Sequence, residues 1–264
     1  MAVPRNTQLI DGLSSDFRKL YDPAHAFADA VSMLKMFPGI RGIWPSSVVG
    51  DTGQMVDVSG NGLHLTNTNN ALIGYTSNTL IPRALYNGST QYHTRADSAY
   101  FDITGTESYI DQNGLTIGAW VKFDTAASTT EMIISKWLGS NLSYNINRTA
   151  TGELRFSITN NGTTAVLIDT TDIMLLDTWY FVCGRFTPSA ELMAQINGTQ
   201  VVNTTSIPAS IFSGTSVFRL AADGGGGALL DGRISLAFLC ASALSDAHIN
   251  TFYQFTAPLF GVTL

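Results

Sequence analysis

Five Asn-Gly pairs, at 61–62, 87–88, 113–114, 161–162 and 197–198, punctuate the chain. Asn-Gly supplies the positive-φ positions that tight turns need, so the spacing cuts the chain into short extended runs. Those runs are β-rich. Leu115–Phe123 places Leu115, Ile117, Ala119, Val121 and Phe123 on one face, and Glu153–Thr159 places Leu154, Phe156 and Ile158 on one side. Met132–Trp137, Leu142–Arg148, Thr178–Thr187, Leu192–Ile196, Val217–Ala222 and Arg233–Ala241 complete the set. Strands at this spacing, with turn signals between them, specify an all-β sandwich or barrel.

The first 40 residues read differently. Ala24–Met36 has no Gly or Pro, and Phe27, Val31, Met33 and Leu34 recur at helical spacing. Asp22 is placed to cap it, Pro23 to open it and Pro38-Gly39 to stop it. Ser14–Tyr21 is a candidate for a shorter helix. Residues 1–40 are therefore expected to form a helical arm before a β domain over 41–264. Near the other end, Ser245-Asp246 caps a predicted helix over Ala247–Phe255 with Ile249, Phe252 and Tyr253 facing inward.

Charge narrows the partners. Charged residues make up 13 % of the chain against a typical ~25 %, and the net charge is −6. Low surface charge favours packing against other subunits, so a homo-oligomer is expected. The 14 basic residues are scattered, without the stripe that nucleic acid requires. Apolar stretches such as Ile234–Leu244 are too short to span a membrane. Met1–Asn6 shows no signal-peptide pattern. Two cysteines, Cys183 and Cys240, lie in apolar runs and read as buried hydrophobes. Gly224–Gly227 lies between strands with no following helix or Lys, so it reads as a hairpin loop and not a phosphate loop.

Several stretches, in order, resemble the laminin-G-like, concanavalin A-like jelly roll. Asp57–His64 resembles its D-x-S-G-N-G-x-H loop. Leu115–Phe123 with Ile133–Trp137, Asp177–Val182 with Ala194–Gly198, and Leu230–Asn250 resemble its later strands and ending. The likeness covers about residues 42–256 and implies a two-sheet antiparallel jelly-roll sandwich. Phe37–Pro45 and Ser242–Ile249 are also similar to jelly rolls among phage and prophage structural proteins.

The resemblance implies one structural calcium, with Asp57 and Asn61 as ligands. Ser235 stands where the family has an acid, and the alternative for Asp57 and Asn61 is an Asx-type turn. Sugar sites need an aromatic platform with planar polar groups, and Trp137, Tyr144, Asn145, Asn147 and Arg148 share one hairpin, with Tyr92 elsewhere. The alternative places Trp137 and Tyr144 in a core or interface. Glu107 with Asp111, and Asp169 with Asp172, are the nearest carboxylate pairs, and they read as turn acids. No G-x-S-x-G motif and no zinc spacing occurs, so no enzyme is expected.

The expectation is a phage-type virion protein: a head decoration, head fibre or tail-associated subunit. It would be assembled in the host cytoplasm and held to other virion proteins through residues 1–40. The alternative is a lectin module binding a host-surface glycan, and a glucanase-like hydrolase ranks third.

Overall fold

The computed structural model describes residues 23–46, 53–76, 79–107, 113–126 and 128–264. Helix α1 spans Pro23–Lys35 and helix α2 Asp246–Thr256, followed by a 3₁₀ turn, Ala257–Phe260. The strands are β1 (Ile40–Trp44), β2 (Thr66–Thr68), β3 (Leu72–Thr76), β4 (Thr79–Asn87), β5 (Tyr92–Arg95), β6 (Leu115–Phe123), β7 (Glu131–Lys136) and β8 (Tyr144–Arg148). They continue with β9 (Glu153–Thr159), β10 (Ala165–Ile173), β11 (Trp179–Thr187), β12 (Glu191–Ile196), β13 (Thr199–Asn203), β14 (Phe218–Leu220) and β15 (Asp231–Cys240).

They form two antiparallel sheets. One runs β13-β12-β11-β6-β15-β4-β3, with β1 pairing β15 as an eighth strand. The other runs β10-β9-β8-β7-β14-β5-β2. Strand β15 pairs with β4 over Asp231–Ile234 and with β1 over Ala237–Cys240. The switch falls at a bulge after Ser235, where Leu236 takes φ 48°. The expected jelly-roll sandwich is the fold observed.

Alternation of side chains puts half of each strand between the sheets. That core holds Trp44, Tyr86, Phe101, Ile117, Val121, Phe123, Ile146, Phe156 and Phe218. Trp44 and Phe101 both pack on Phe218, with ring centroids 4.9 Å and 4.5 Å from it. A second apolar layer lies on the outer face of the eight-stranded sheet. There Trp120, Phe181, Cys183, Phe238 and Cys240 meet Phe27, Ala30 and Leu34 of α1 and Ile249 and Phe252 of α2. Trp120 stacks on Phe260 at 4.3 Å, and its indole N–H donates to Thr256 Oγ1 at 2.9 Å. Such a side chain gives up both area and a polar bond if truncated.

Both helices follow the sequence pattern. The Ser245 side chain accepts from His248 N at the start of α2, and Ile249, Phe252 and Tyr253 are buried. Phe27, Ala30 and Leu34 turn inward along α1. That stretch of the expected arm therefore spends its apolar stripe on its own sandwich. The Ser14–Tyr21 helix and the Asp22 cap lie outside the described residues. The β pattern starts at Ile40, the last residue of the expected arm, because β1 pairs with β15 from its first residue.

One turn reading is corrected. Asp169 is not a turn acid: it lies within β10, opposite Arg155. Of the Asn-Gly pairs, Asn197-Gly198 closes a two-residue hairpin between Ile196 and Thr199, with Asn197 at φ 53°.

Candidate functional site

No helix covers the outer face of the seven-stranded sheet among the described residues. Its register builds one continuous transverse row: Leu167, Ser157, Asn145, Ser135, Arg219, Thr94 and Thr66, one residue from each strand. All but Leu167 are polar. In mid-sheet the row is closed in, with Ser157, Asn145 and Ser135 buried and Ser135 Oγ donating to Ala222 O at 2.6 Å. It opens toward β14, β5 and β2.

At that end lies a cleft of about 410 Å³, lined by Gln54, His64, Thr66, Thr94, Arg95, Ala96, Asp97 and Ser98. Its volume falls in the range of small-ligand sites, roughly 300–1,000 Å³. Each wall is fixed from behind. His64 Nδ1 accepts from Asp57 N at 3.1 Å, which places the neutral ring's proton on Nε2. Arg95 Nη1 donates to His64 O at 2.9 Å. Lys136, buried at 0 % exposure, holds Asp97 at 2.8 Å and Asp102 at 3.0 Å. Arg219 Nε donates to Thr94 Oγ1 at 3.2 Å, and its guanidinium lies 4.4 Å over the Tyr92 ring. An imidazole N–H, an amide, hydroxyls, a guanidinium and the Asp97 carboxylate thus line one cleft on a rigid base. Such groups hydrogen-bond vicinal hydroxyls, and none is a nucleophile paired with a base.

The Asp57–His64 loop shapes this cleft and is not a cation cradle. Asp57 Oδ1 accepts from Ile43 N (3.0 Å) and Ser59 N (2.9 Å), and Oδ2 from Ser59 Oγ (2.8 Å) and Leu63 N (2.9 Å). Asn61 Nδ2 donates to Arg41 O at 2.8 Å. A ring of N–H and O–H donors consumes the carboxylate lone pairs and repels a cation, so Asp57 and Asn61 do not fit calcium. Ser235, where the family has its acid, donates to Pro82 O at 2.7 Å. No cluster of three or more acidic, His or Cys ligands occurs among the described residues.

The expected sugar platform is not assembled. Tyr144 lies in the core at 0 % exposure and donates to Phe101 O at 3.0 Å. Arg148 is buried under Phe123, 3.9 Å from its ring, with Nε 2.7 Å from Glu131 Oε2. Tyr144 and Arg148 share the inward parity of β8, while Asn145 faces outward but is buried. Trp137 is half-buried, one residue beyond β7. Asn145 Oδ1 and Asn147 Nδ2 lack hydrogen-bond partners.

The other candidates are structural. Asp169 pairs bidentately with Arg155, both contacts 2.7 Å. Glu107 Oε1 accepts from Thr104 N at 2.6 Å, as in a turn, and Asp111 lies outside the described residues. Burial pushes the Cys183 thiol up to about 12 and the His93 imidazole down to about 4. His93 Nδ1 sits 3.0 Å from the Tyr86 hydroxyl in the core. No described helix is long and apolar enough to cross a membrane.

The cleft residues Gln54, Thr66, Thr94, Arg95 and Asp97 were not singled out in the sequence. Tyr92 and His64 were named, His64 only as the end of a motif. The missing signal is the alternation of Tyr92-His93-Thr94-Arg95, which four residues are too few to establish.

Comparison with known proteins agrees with this architecture. No curated protein matches the chain in sequence. Among solved structures, the binding domain of Paraclostridial Mosquitocidal Protein 1 superposes with TM-score 0.64 at 12 % identity, covering 88 % of this chain and 56 % of that one. The binding domain of botulinum neurotoxin DC, solved with rat synaptotagmin II, gives 0.58 at 12 %, covering 82 % and 51 %. Botulinum neurotoxin type C, which depends on interaction with two ganglioside molecules to enter cells, gives 0.61 at 12 %, covering 89 % and 56 %. The chain spans about half the length of these proteins, and identities this low show a shared fold. The family described as the Concanavalin A-like lectin/glucanases superfamily matches residues 87–250, more than half of the chain, and the chain belongs to that superfamily.

Proposed function

We propose that this chain is a non-enzymatic recognition module that binds a surface glycan in the cleft between His64 and Asp97. One observation carries the reading: planar and hydroxylic groups converge on a cleft whose walls are locked by Asp57, Lys136 and Arg219. Preorganised donors bind without an ordering cost, which suits weakly hydrophobic ligands such as sugars. The similar binding domains of botulinum neurotoxin DC, solved in complex with rat synaptotagmin II and with SialylT, support a recognition role for this kind of jelly roll. Against hydrolysis, the Lys136 ammonium sits between the Asp97 and Asp102 carboxylates, where a scissile bond would have to lie.

The test is a glycan array with the full chain, with and without chelator. Chelator-insensitive binding that Gln54→Ala and His64→Ala weaken supports the reading; no binding in either condition overturns it.

A second reading concerns the setting. A virion component, carried on a phage-type particle through the arm at residues 1–40, of which α1 packs on the sandwich, accords with the low charge and the Phe37–Pro45 likeness. Deleting residues 1–22 is expected to abolish incorporation into particles. Normal incorporation would overturn it.

A further inference from the structure

Strand β10 is an outer edge of its sheet, and its Ala165–Ile168 half carries neither a charge nor a bulge. The other sheet-edge strands β2, β3 and β13 are short, whereas β10 runs nine residues. Natural edges are blunted by Lys, Pro or shortness. Ala165–Ile173 contains no Lys, Arg or Pro. Its first five residues pair with β9 in unbroken register, and a bulge follows only after Asp169. The Asp169 carboxylate is already neutralised by Arg155 within the chain.

The exposed apolar side chains gather at the same place. Of the ten exposed large hydrophobic residues among the described residues, four lie within 167–176: Leu167, Ile173, Leu175 and Leu176, between 40 % and 63 % exposed. The end of this run lines a shallow pocket of about 210 Å³ with Ala126, Ala150 and Met174.

We propose that β10 is the dimer interface: a second copy of this chain pairs its own β10 antiparallel across a two-fold axis. Two identical antiparallel strands match main-chain donors to acceptors automatically, and their apolar side chains meet copies of themselves. No complementary foreign sequence is needed; Arg155 compensates Asp169 in each copy, and Asp172 lies beyond the unbroken 165–169 register. The pairing merges two seven-stranded sheets into one of fourteen. The clefts, at the β2–β5 ends, then lie at opposite extremes of the joined sheet. Two spaced sites raise avidity for a surface carrying many ligands.

The experiment is sedimentation velocity of the full chain up to ~100 μM, beside the double variant Leu167→Lys/Ile173→Lys. Val202→Lys, on the neighbouring edge strand β13, serves as control. Both changes replace exposed side chains, and circular dichroism and melting confirm that the fold is kept. The expected result is a wild-type dimer, a monomeric double variant and a dimeric Val202→Lys. Hydrogen exchange then shows amides 165–169 more protected at high than at low concentration. A wild-type monomer throughout the range overturns the proposal. So does a dimer indifferent to the double variant, or one dissolved by Val202→Lys instead.

Discussion

The two sheets share one core but treat their outer faces in opposite ways. Strands β6, β11 and β15 of the eight-stranded sheet are buried almost along their whole length, because α1, α2 and the 3₁₀ turn cover the far side. Strands β9 and β10, at the edge of the seven-stranded sheet, turn Arg155, Leu167 and Asp169 outward, while β7 and β8 in its middle are buried along their length with polar residues on the outer side. A strand buried on both faces reads as a continuous apolar run, and one buried on a single face as an alternation. The second apolar layer thus lies on one sheet, and the proposed recognition cleft lies on the other. A polar face costs little to keep polar, while the covered face must be filled.

The largest break in that contrast is expected from Trp120→Ala. Removing the ring from between Phe181 and Phe260 should cost about 4 kcal/mol in urea unfolding. Thr94→Ala, on the polar face, should stay within ~0.5 kcal/mol. Equal losses would mean that the faces are not divided in this way. Arg148→Met tests a residue that the sequence suggested for sugar contact. It strands buried Glu131, so about 3 kcal/mol should be lost while glycan affinity holds. An unchanged melting temperature with lost binding would return Arg148 to the site.

Acid probes the core that the sheets share. Below pH ~6.5 the unfolded chain protonates His93, whereas the folded chain resists until about pH 4. Stability is therefore lost as pH falls through that window, by up to about 3 kcal/mol from this group alone. Unfolding at pH 7 and pH 5 should show the drop, and His93→Gln should flatten it. A smaller effect, about 2 kcal/mol, is expected from Asp57→Asn, which spoils the turn holding His64. Millimolar calcium or chelator should leave the melting temperature unmoved; a rise with calcium would reinstate Asp57 as a ligand.

Much of the fold was legible because both sheets contain long strands. Leu115–Phe123 and Glu153–Thr159 carry their boundaries in plain alternation, and Ser245 announces α2. Strand β4 was hidden by Pro82, β10 by its two aspartates, and β2 and β5 by their length. The site was less legible for a related reason. It assembles from β2, β5, β14 and the 54–64 segment, which are far apart in the chain, and register alone aligns Thr66, Thr94 and Arg219. The hairpin holding Trp137, Tyr144, Asn145 and Arg148 offered better chemistry on paper. Parity along β8 sends Tyr144 and Arg148 into the core. Asp57 and Asn61 were correctly seen as one unit, but donors, not acceptors, fill the space around Asp57.

The division of labour between the sheets is tested most directly by calorimetric titration of an array-selected glycan. The full chain would be compared with Gln54→Ala/His64→Ala and with Trp137→Ala. The account predicts at least tenfold weaker binding for the cleft variant, with its melting temperature nearly kept, and an unchanged affinity for Trp137→Ala. Undiminished binding by the cleft variant, or loss through Trp137→Ala alone, would contradict it.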